Sequence, residues 1–243
     1  MSTSTDAAIL LAKRELVMAN RILAREDVID DYGHVSIRHP LIRDRFFLSR
    51  SRSPEIVDLD DIMEFHLDGT PVEPATRQMY SERVLHGAIF AARPDVGAVA
   101  HHHARAVLPF TTTKVPLRPV FHMGSVIGSH VPVWESQDEF GDTNMLIDSL
   151  PRAESLARTL GASTCALLRG HGAVCVGADL KAATFVSVYM KENAQLLLET
   201  LRLGEPIYLT EKETTETAAM LLGPRIIQRF WDYRMARAGF KGL

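Results

Sequence analysis

Short apolar stretches cut by Gly or Pro alternate along this chain with longer stretches whose apolar residues recur at helical spacing. That alternation restricts it to an α/β layered fold. Residues 7–25 carry Ile9, Leu10, Val17, Ile22 and Leu23 at helical spacing and lack Gly and Pro, which predicts an amphipathic opening helix. Short strands are expected at 46–49 and 62–67, the second ending at the turn pair Asp68-Gly69. A helix over 81–92 stops at Arg93-Pro94, and 96–103 suits a buried strand. Beyond it the pattern predicts a helical turn at 104–110 and, from the Pro, Val and Gly content of 111–134, short strands with bends. A helix closes at Gly161, and 165–168 and 173–176 form a strand pair across Gly170-His171-Gly172. A long helix spans 180–203 and stops at Gly204, and a last helix starts at about Glu211. With no repeat, low-complexity tract or Gly/Ser linker, residues 1–243 read as a single domain.

Charge and composition exclude several classes of partner. The 27 Lys+Arg against 30 Asp+Glu give a formal charge of −3, so no broad basic surface grips nucleic acid or acidic lipid. No apolar run approaches the roughly 20 residues of a spanning helix, so no membrane partner is expected. The opening MSTSTD lacks a basic region followed by an apolar stretch, and the expected location is cytoplasmic. Cys165 and Cys175 lie in an apolar stretch with neither zinc-knuckle nor redox-pair spacing, and read as buried reduced thiols.

Among the 10 histidines, placement matters more than number. His101, His102 and His103 end the strand candidate 96–103. Side chains alternate across a strand, so His101 and His103 share one face and His102 points away. Two imidazoles at i and i+2 can converge on one cation, and His171, between two glycines at a strand break, is a third candidate. Three neutral imidazoles with open positions suit a catalytic divalent metal, with Zn, Mn, Fe or Co all compatible. Glu82 opens the helix 81–92, where a glutamate ordinarily only complements the helix dipole. Near a metal it can act as general acid or base.

These residues, taken together, resemble a known family. Ser81-Glu82, His86, Arg93-Pro94-Asp95-Val96, the run Ala98 to His103, and Leu168-Arg169-Gly170-His171-Gly172-Ala173-Val174 are similar to the class II aldolase/adducin family, in order and over most of the chain. The resemblance implies a central, mainly antiparallel β-sheet flanked by helices. It also implies a homo-oligomer, a tetramer or a multiple, with active sites between subunits. It makes His101, His103 and His171 the metal ligands and Glu82 the acid/base carboxylate. The family hosts several chemistries, in which a metal stabilises an enolate-like oxyanion while a carboxylate handles a proton.

The chain departs from the family's sugar-phosphate aldolases at their phosphate cradle. The first turn reads Gly33-His34-Val35-Ser36-Ile37-Arg38, with His34 where asparagine is usual. The second reads Leu48-Ser49-Arg50-Ser51-Arg52-Ser53-Pro54 and has no glycine, and only Ser81 remains of a serine pair. The arginine fork suits a carboxylate, so Arg50 and Arg52 become candidate substrate ligands. The Leu-Ser-Arg-Ser-Arg stretch, 118–123 and Gly141-Asp142-Thr143 look like the family's decarboxylase branch, which acts on hydroxylated aromatic dicarboxylates and carboxylated muconic semialdehydes.

The resulting expectation is a carboxy-lyase of aromatic-compound degradation acting on a small carboxylated molecule. Glu82, or an imidazole such as His34 or His122, protonates carbon; Arg50 or Arg52 holds a second carboxylate; Ser81, His122 and Tyr208 are further candidate substrate contacts. The alternatives are a semialdehyde decarboxylase, an aldolase for a non-phosphorylated hydroxy-keto acid, and a metal-free adducin-like scaffold. His86 reads as structural.

Overall fold

The computed structural model describes residues 2–74 and 76–240. Eight α-helices are found there: α1 (Ser2–Arg25), α2 (Arg83–Ala92), α3 (Leu108–Thr111), α4 (Ser136–Phe140), α5 (Leu150–Leu160), α6 (Leu180–Leu203), α7 (Glu211–Leu221) and α8 (Pro224–Arg237). The strands are β1 (His34–Arg38), β2 (Arg45–Ser49), β3 (Ile62–His66), β4 (Ala98–His102), β5 (Val133–Trp134), β6 (Cys165–Leu168) and β7 (Gly172–Gly177). They form one seven-stranded sheet in the order β3-β2-β1-β4-β7-β6-β5. Every pairing is antiparallel except β5 with β6.

Strand alternation divides the core in two. Val35, Ala98, Ala100, Ala173 and Cys175 face a layer that includes Leu16 and Ile22 of α1 and Phe185 of α6. Val99, Val174, Val176 and Leu168 face Leu85 and Ile89 of α2 and Leu156 of α5. Helices thus cover both faces of the sheet, and its central strands β1, β4 and β7 are buried on both sides. Burying each such large side chain contributes about 1.5–3 kcal/mol. Among the described residues, no helix is long and apolar enough to cross a membrane.

Four sequence expectations change. Residues 34–38 form a central strand, not a turn: Val35 and Ile37 alternate with His34 and Ser36, whose polar side chains are nonetheless buried. The segment 111–134 makes only the two-residue β5. Pro116, Pro119 and Pro132 cannot donate to a ladder, and a 3-10 turn at His122–Ile127 takes the place of strands. Asn193 of α6 stands in for the missing neighbour, accepting from the Val120 N–H (2.9 Å) and donating to the Arg118 carbonyl (2.9 Å). The helical turn expected at 104–110 is shorter and later, at Leu108–Thr111. The last helix is two, because Gly223-Pro224 ends one and starts the next. Cys165 and Cys175 are free, buried and directly opposite each other, with Sγ atoms 3.5 Å apart.

The β6–β7 connection is tight at Gly172, which any Cβ would bring within 2.3 Å of the His102 carbonyl oxygen and 2.9 Å of the His103 ring. Gly172→Ala is therefore expected to destabilise the fold by about 1–3 kcal/mol, read as a lower urea midpoint. An unchanged midpoint would show that β4 and the turn yield freely.

Candidate metal centre and active site

β1 and β4 lie side by side with His34 opposite His101, so the two imidazoles share one face of the sheet, with ring centroids 5.1 Å apart. His103 follows the end of β4 on that same face, its Nε2 3.1 Å from that of His101. His102 points the opposite way, with its Nε2 3.6 Å from the Cys175 sulfur. The β6–β7 turn, with Gly170 at φ 63°, brings His171 over the pair, 5.0 Å from the His101 ring and 5.1 Å from the His103 ring.

Behind each of these three rings stands an acceptor for Nδ1. His101 Nδ1 donates to the Ala173 carbonyl (3.1 Å), His103 Nδ1 to the Asp30 carboxylate (3.1 Å) and His171 Nδ1 to the Met145 carbonyl (3.0 Å). A carbonyl or carboxylate oxygen only accepts, so each proton sits on Nδ1 and each Nε2 carries a bare lone pair. The front of the site is thus acceptor-only. Two facing lone pairs at 3.1 Å repel unless a cation or proton lies between them, and ligands about 2.0–2.1 Å from one metal are separated by about this distance. Ligand atoms of His101, His103 and His171 all lie within 4.8 Å of one another. The donor set fits a divalent cation, with neutral imidazoles and a carboxylate–histidine contact behind one of them.

Glu82 stands at the N-cap position of α2 beside this hollow, its side chain turned away from the helix amides. Its Oε1 accepts from the Ile147 N–H (2.9 Å), and its Oε2 lies 3.5 Å from His101 Nε2 and 3.8 Å from His171 Nε2. Burial works against its ionisation, but the neighbouring His101 ring, with those of His171 and His34, outweighs it and holds the carboxyl well below the usual carboxylate range. Asp30 is likewise lowered: burial opposes ionisation, and the Tyr32 and Gly33 amides with His103 outweigh it. Asp30 and the Met145 carbonyl escaped the sequence reading. Asp30 had a usable signal, an Asp three residues before a Gly whose amide it accepts (2.9 Å); Met145, at φ 62°, had none.

A cavity of about 1000 Å³ opens over the cluster, with His34, Arg52, Tyr80, Ser81, Glu82 and His171 in its walls. Arg52 gives Nη1 to both oxygens of Asp61 (3.0 and 2.8 Å), which leaves its Nε and Nη2 without a hydrogen-bond partner among the described residues. Arg50 lies outside the cavity wall, its Nε on the same Asp61 (2.6 Å). His122 is exposed at the 3-10 turn, and Tyr208 packs under the Arg118 guanidinium (4.5 Å); neither lines the cavity. His86, assigned a structural place by the sequence, is fully buried and bonded to His34 (2.7 Å).

Burial, followed by the field of His101, lowers His86 from 6.5 to about 3, and the same two causes lower His171 to about 4. Below about 6.5 the unfolded chain takes up protons that these rings refuse, so unfolding binds protons. Stability is then complete above pH 6.5 and falls as pH drops toward 3, by about 1.4 kcal/mol per unit for each such ring. The urea midpoint of metal-free protein is expected to fall between pH 7 and pH 5; a flat profile would contradict the burial of neutral rings.

The model of the class II aldolase and adducin N-terminal domain matches residues 14–198. The decarboxylase tropJ of Talaromyces stipitatus is 34% identical over 204 residues, covering 79% of this chain and 77% of that protein. The 3,4-dihydroxyphthalate decarboxylase of Arthrobacter keyseri is 25% identical over 241 residues, 93% of each chain. Among solved structures, the L-fuculose 1-phosphate aldolase of Glaciozyma antarctica superposes with a TM-score of 0.81 at 20% identity, covering 97% of this chain and 91% of that one. The central sheet flanked by helices is the fold shared with that aldolase, and the chain belongs to the class II aldolase and adducin family.

Proposed function

We propose that the protein is a divalent-metal-dependent lyase that removes CO₂ from a hydroxylated aromatic dicarboxylate. The observation that carries this reading is one cavity holding a cation-ready triad, an ionised glutamate and an arginine with a vacant fork. The decarboxylase relatives support the same reaction class. His101, His103 and His171 would hold the cation, which when bound supplies a Lewis acid for negative charge developing on a substrate oxygen.

The chain's own groups do the rest. Arg52 offers Nε and Nη2 to one substrate carboxylate, and Asp61, shared with Arg50, keeps the guanidinium in place. Glu82, ionised at rest, takes the proton of the substrate hydroxyl. As the bond to the departing carboxylate breaks, the electron pair stays on the ring carbon, and Glu82 returns the proton there. His34 faces the same space and is the second candidate for holding that proton, with Ser81 at the rim. His122 and Tyr208 would meet substrate only across a subunit boundary. Assembly into an oligomer is supported by the exposure of Leu203 and Ile207, each 91% accessible.

The test is incubation with 3,4-dihydroxyphthalate under divalent metal, reading CO₂. Glu82→Gln is expected to keep metal content and lower turnover about 10²–10⁴-fold, whereas His101→Ala and His103→Ala lose the metal. Aldehyde release from a hydroxy-keto acid without CO₂ would favour the aldolase reading. Protein that retains no stoichiometric metal would favour the scaffold.

A further inference from the structure

We propose that Ser36 and His86 act on the cavity through His34, holding it in the tautomer that turns a bare Nε2 toward substrate as acceptor for a hydroxyl. The chain of contacts is short and closed. His34 Nδ1 lies 2.7 Å from His86 Nε2, His86 Nδ1 lies 2.6 Å from Ser36 Oγ, and Ser36 Oγ lies 3.5 Å from the Val99 carbonyl oxygen. His34 and Ser36 are on the same face of β1, directly below α2, which carries His86. All three side chains are buried, and among the described residues no carboxylate is hydrogen-bonded to either ring.

A neutral imidazole carries one ring proton, and each close contact needs one proton between its heavy atoms. The tautomers are therefore coupled. If Ser36 donates to Val99, His86 must donate from Nδ1 to Ser36, and His34 must donate from Nδ1 to His86. If Ser36 instead donates to His86, both rings reverse and His34 shows an N–H to the cavity. Only the first arrangement uses all three contacts. The Val99 carbonyl has no proton to pass on, so the chain is a blind end that orients and does not conduct. Among the described residues His34 has no hydrogen-bond partner at Nε2; it forms part of the cavity wall, with ligand atoms of Glu82 and His101 within 4.8 Å. Ser36, a residue that never touches the cavity, thus selects whether its wall accepts or donates. A site that accepts there discriminates against a ligand whose hydroxyl is masked, because the masked ligand leaves a polar atom unpaired.

The tautomer is read by long-range ¹H–¹⁵N correlation on the full chain, labelled at histidine and loaded with diamagnetic Zn²⁺, with His34 assigned through His34→Gln. The expected pattern is a protonated Nδ1 and an unprotonated Nε2 at His34; a protonated Nε2 overturns the proposal. Ser36→Ala would orphan a buried N–H at His86 Nδ1, which costs more than an unpaired lone pair. Both rings are then expected to reverse. His86→Gln, whose amide oxygen can accept as Nε2 did, is expected to keep the wild-type pattern at His34. A Ser36→Ala protein with the wild-type pattern overturns the proposal, since mere packing by Ser36 would leave the His34 proton in place. The ligand arm rests on the decarboxylase reading and compares salicylate with 2-methoxybenzoate. The preference for salicylate is expected to fall about tenfold in Ser36→Ala, and an unchanged ratio overturns the assignment of the hydroxyl. If neither ligand binds wild type, the decarboxylase reading fails, and the tautomer is decided by the spectrum alone.

Discussion

The Ala173 carbonyl, the Asp30 carboxylate and the Met145 carbonyl each take the Nδ1 proton of one imidazole, and the direction of three ring lone pairs follows from that. Without these acceptors the rings would be free to present N–H groups to one another, and the hollow would satisfy itself. With them it faces inward with acceptors alone, an arrangement that burial makes unstable until positive charge enters. Glu82 sharpens this condition. Its carboxylate is pinned by the Ile147 amide and stands within 3.8 Å of two of the rings, so the local field favours a cation and an ionised carboxylate together.

What was legible in the amino-acid order was whatever strand and helix periodicity control directly. The i and i+2 rule placed His101 and His103 together and sent His102 to the opposite face, where it meets Cys175. The glycines around His171 announced the tight β6–β7 turn. Strand β1 was obscured because its buried polar side chains, His34 and Ser36, read as turn residues although Val35 and Ile37 alternate with them. The prolines of 111–134 were visible, but that Asn193 from a distant helix would supply the missing backbone partners was not. Pairings of this kind depend on the register between strands far apart in sequence, which local patterning does not encode. Asp30 with His103 and His86 with His34 belong to the same class.

The arginine pair shows how chemistry and position separate. Both side chains bind Asp61, which also accepts from the Asp58 amide (2.9 Å), so one buried carboxylate is saturated by two guanidinium groups and a backbone donor. Each arginine engages Asp61 through a single nitrogen, Nε of Arg50 and Nη1 of Arg52, but only Arg52 stands in the cavity wall. Composition alone treats the two as equivalent, and the geometry gives one a structural task and leaves the other open to a ligand.

The parts of the triad and its supports are spread from Asp30, ahead of the first strand, to Ala173, in the last. During synthesis the two imidazoles at the end of β4 emerge well before β7 does, yet until that strand inserts beside them they lack both the Ala173 carbonyl and the third ring. The nascent polypeptide therefore lacks the assembled triad, and a cation affinity of the proposed kind would arrive only with the closing of the sheet. On the proposed reading, loading would be a readout of finished topology, and a half-made protein would not sequester metal from its surroundings.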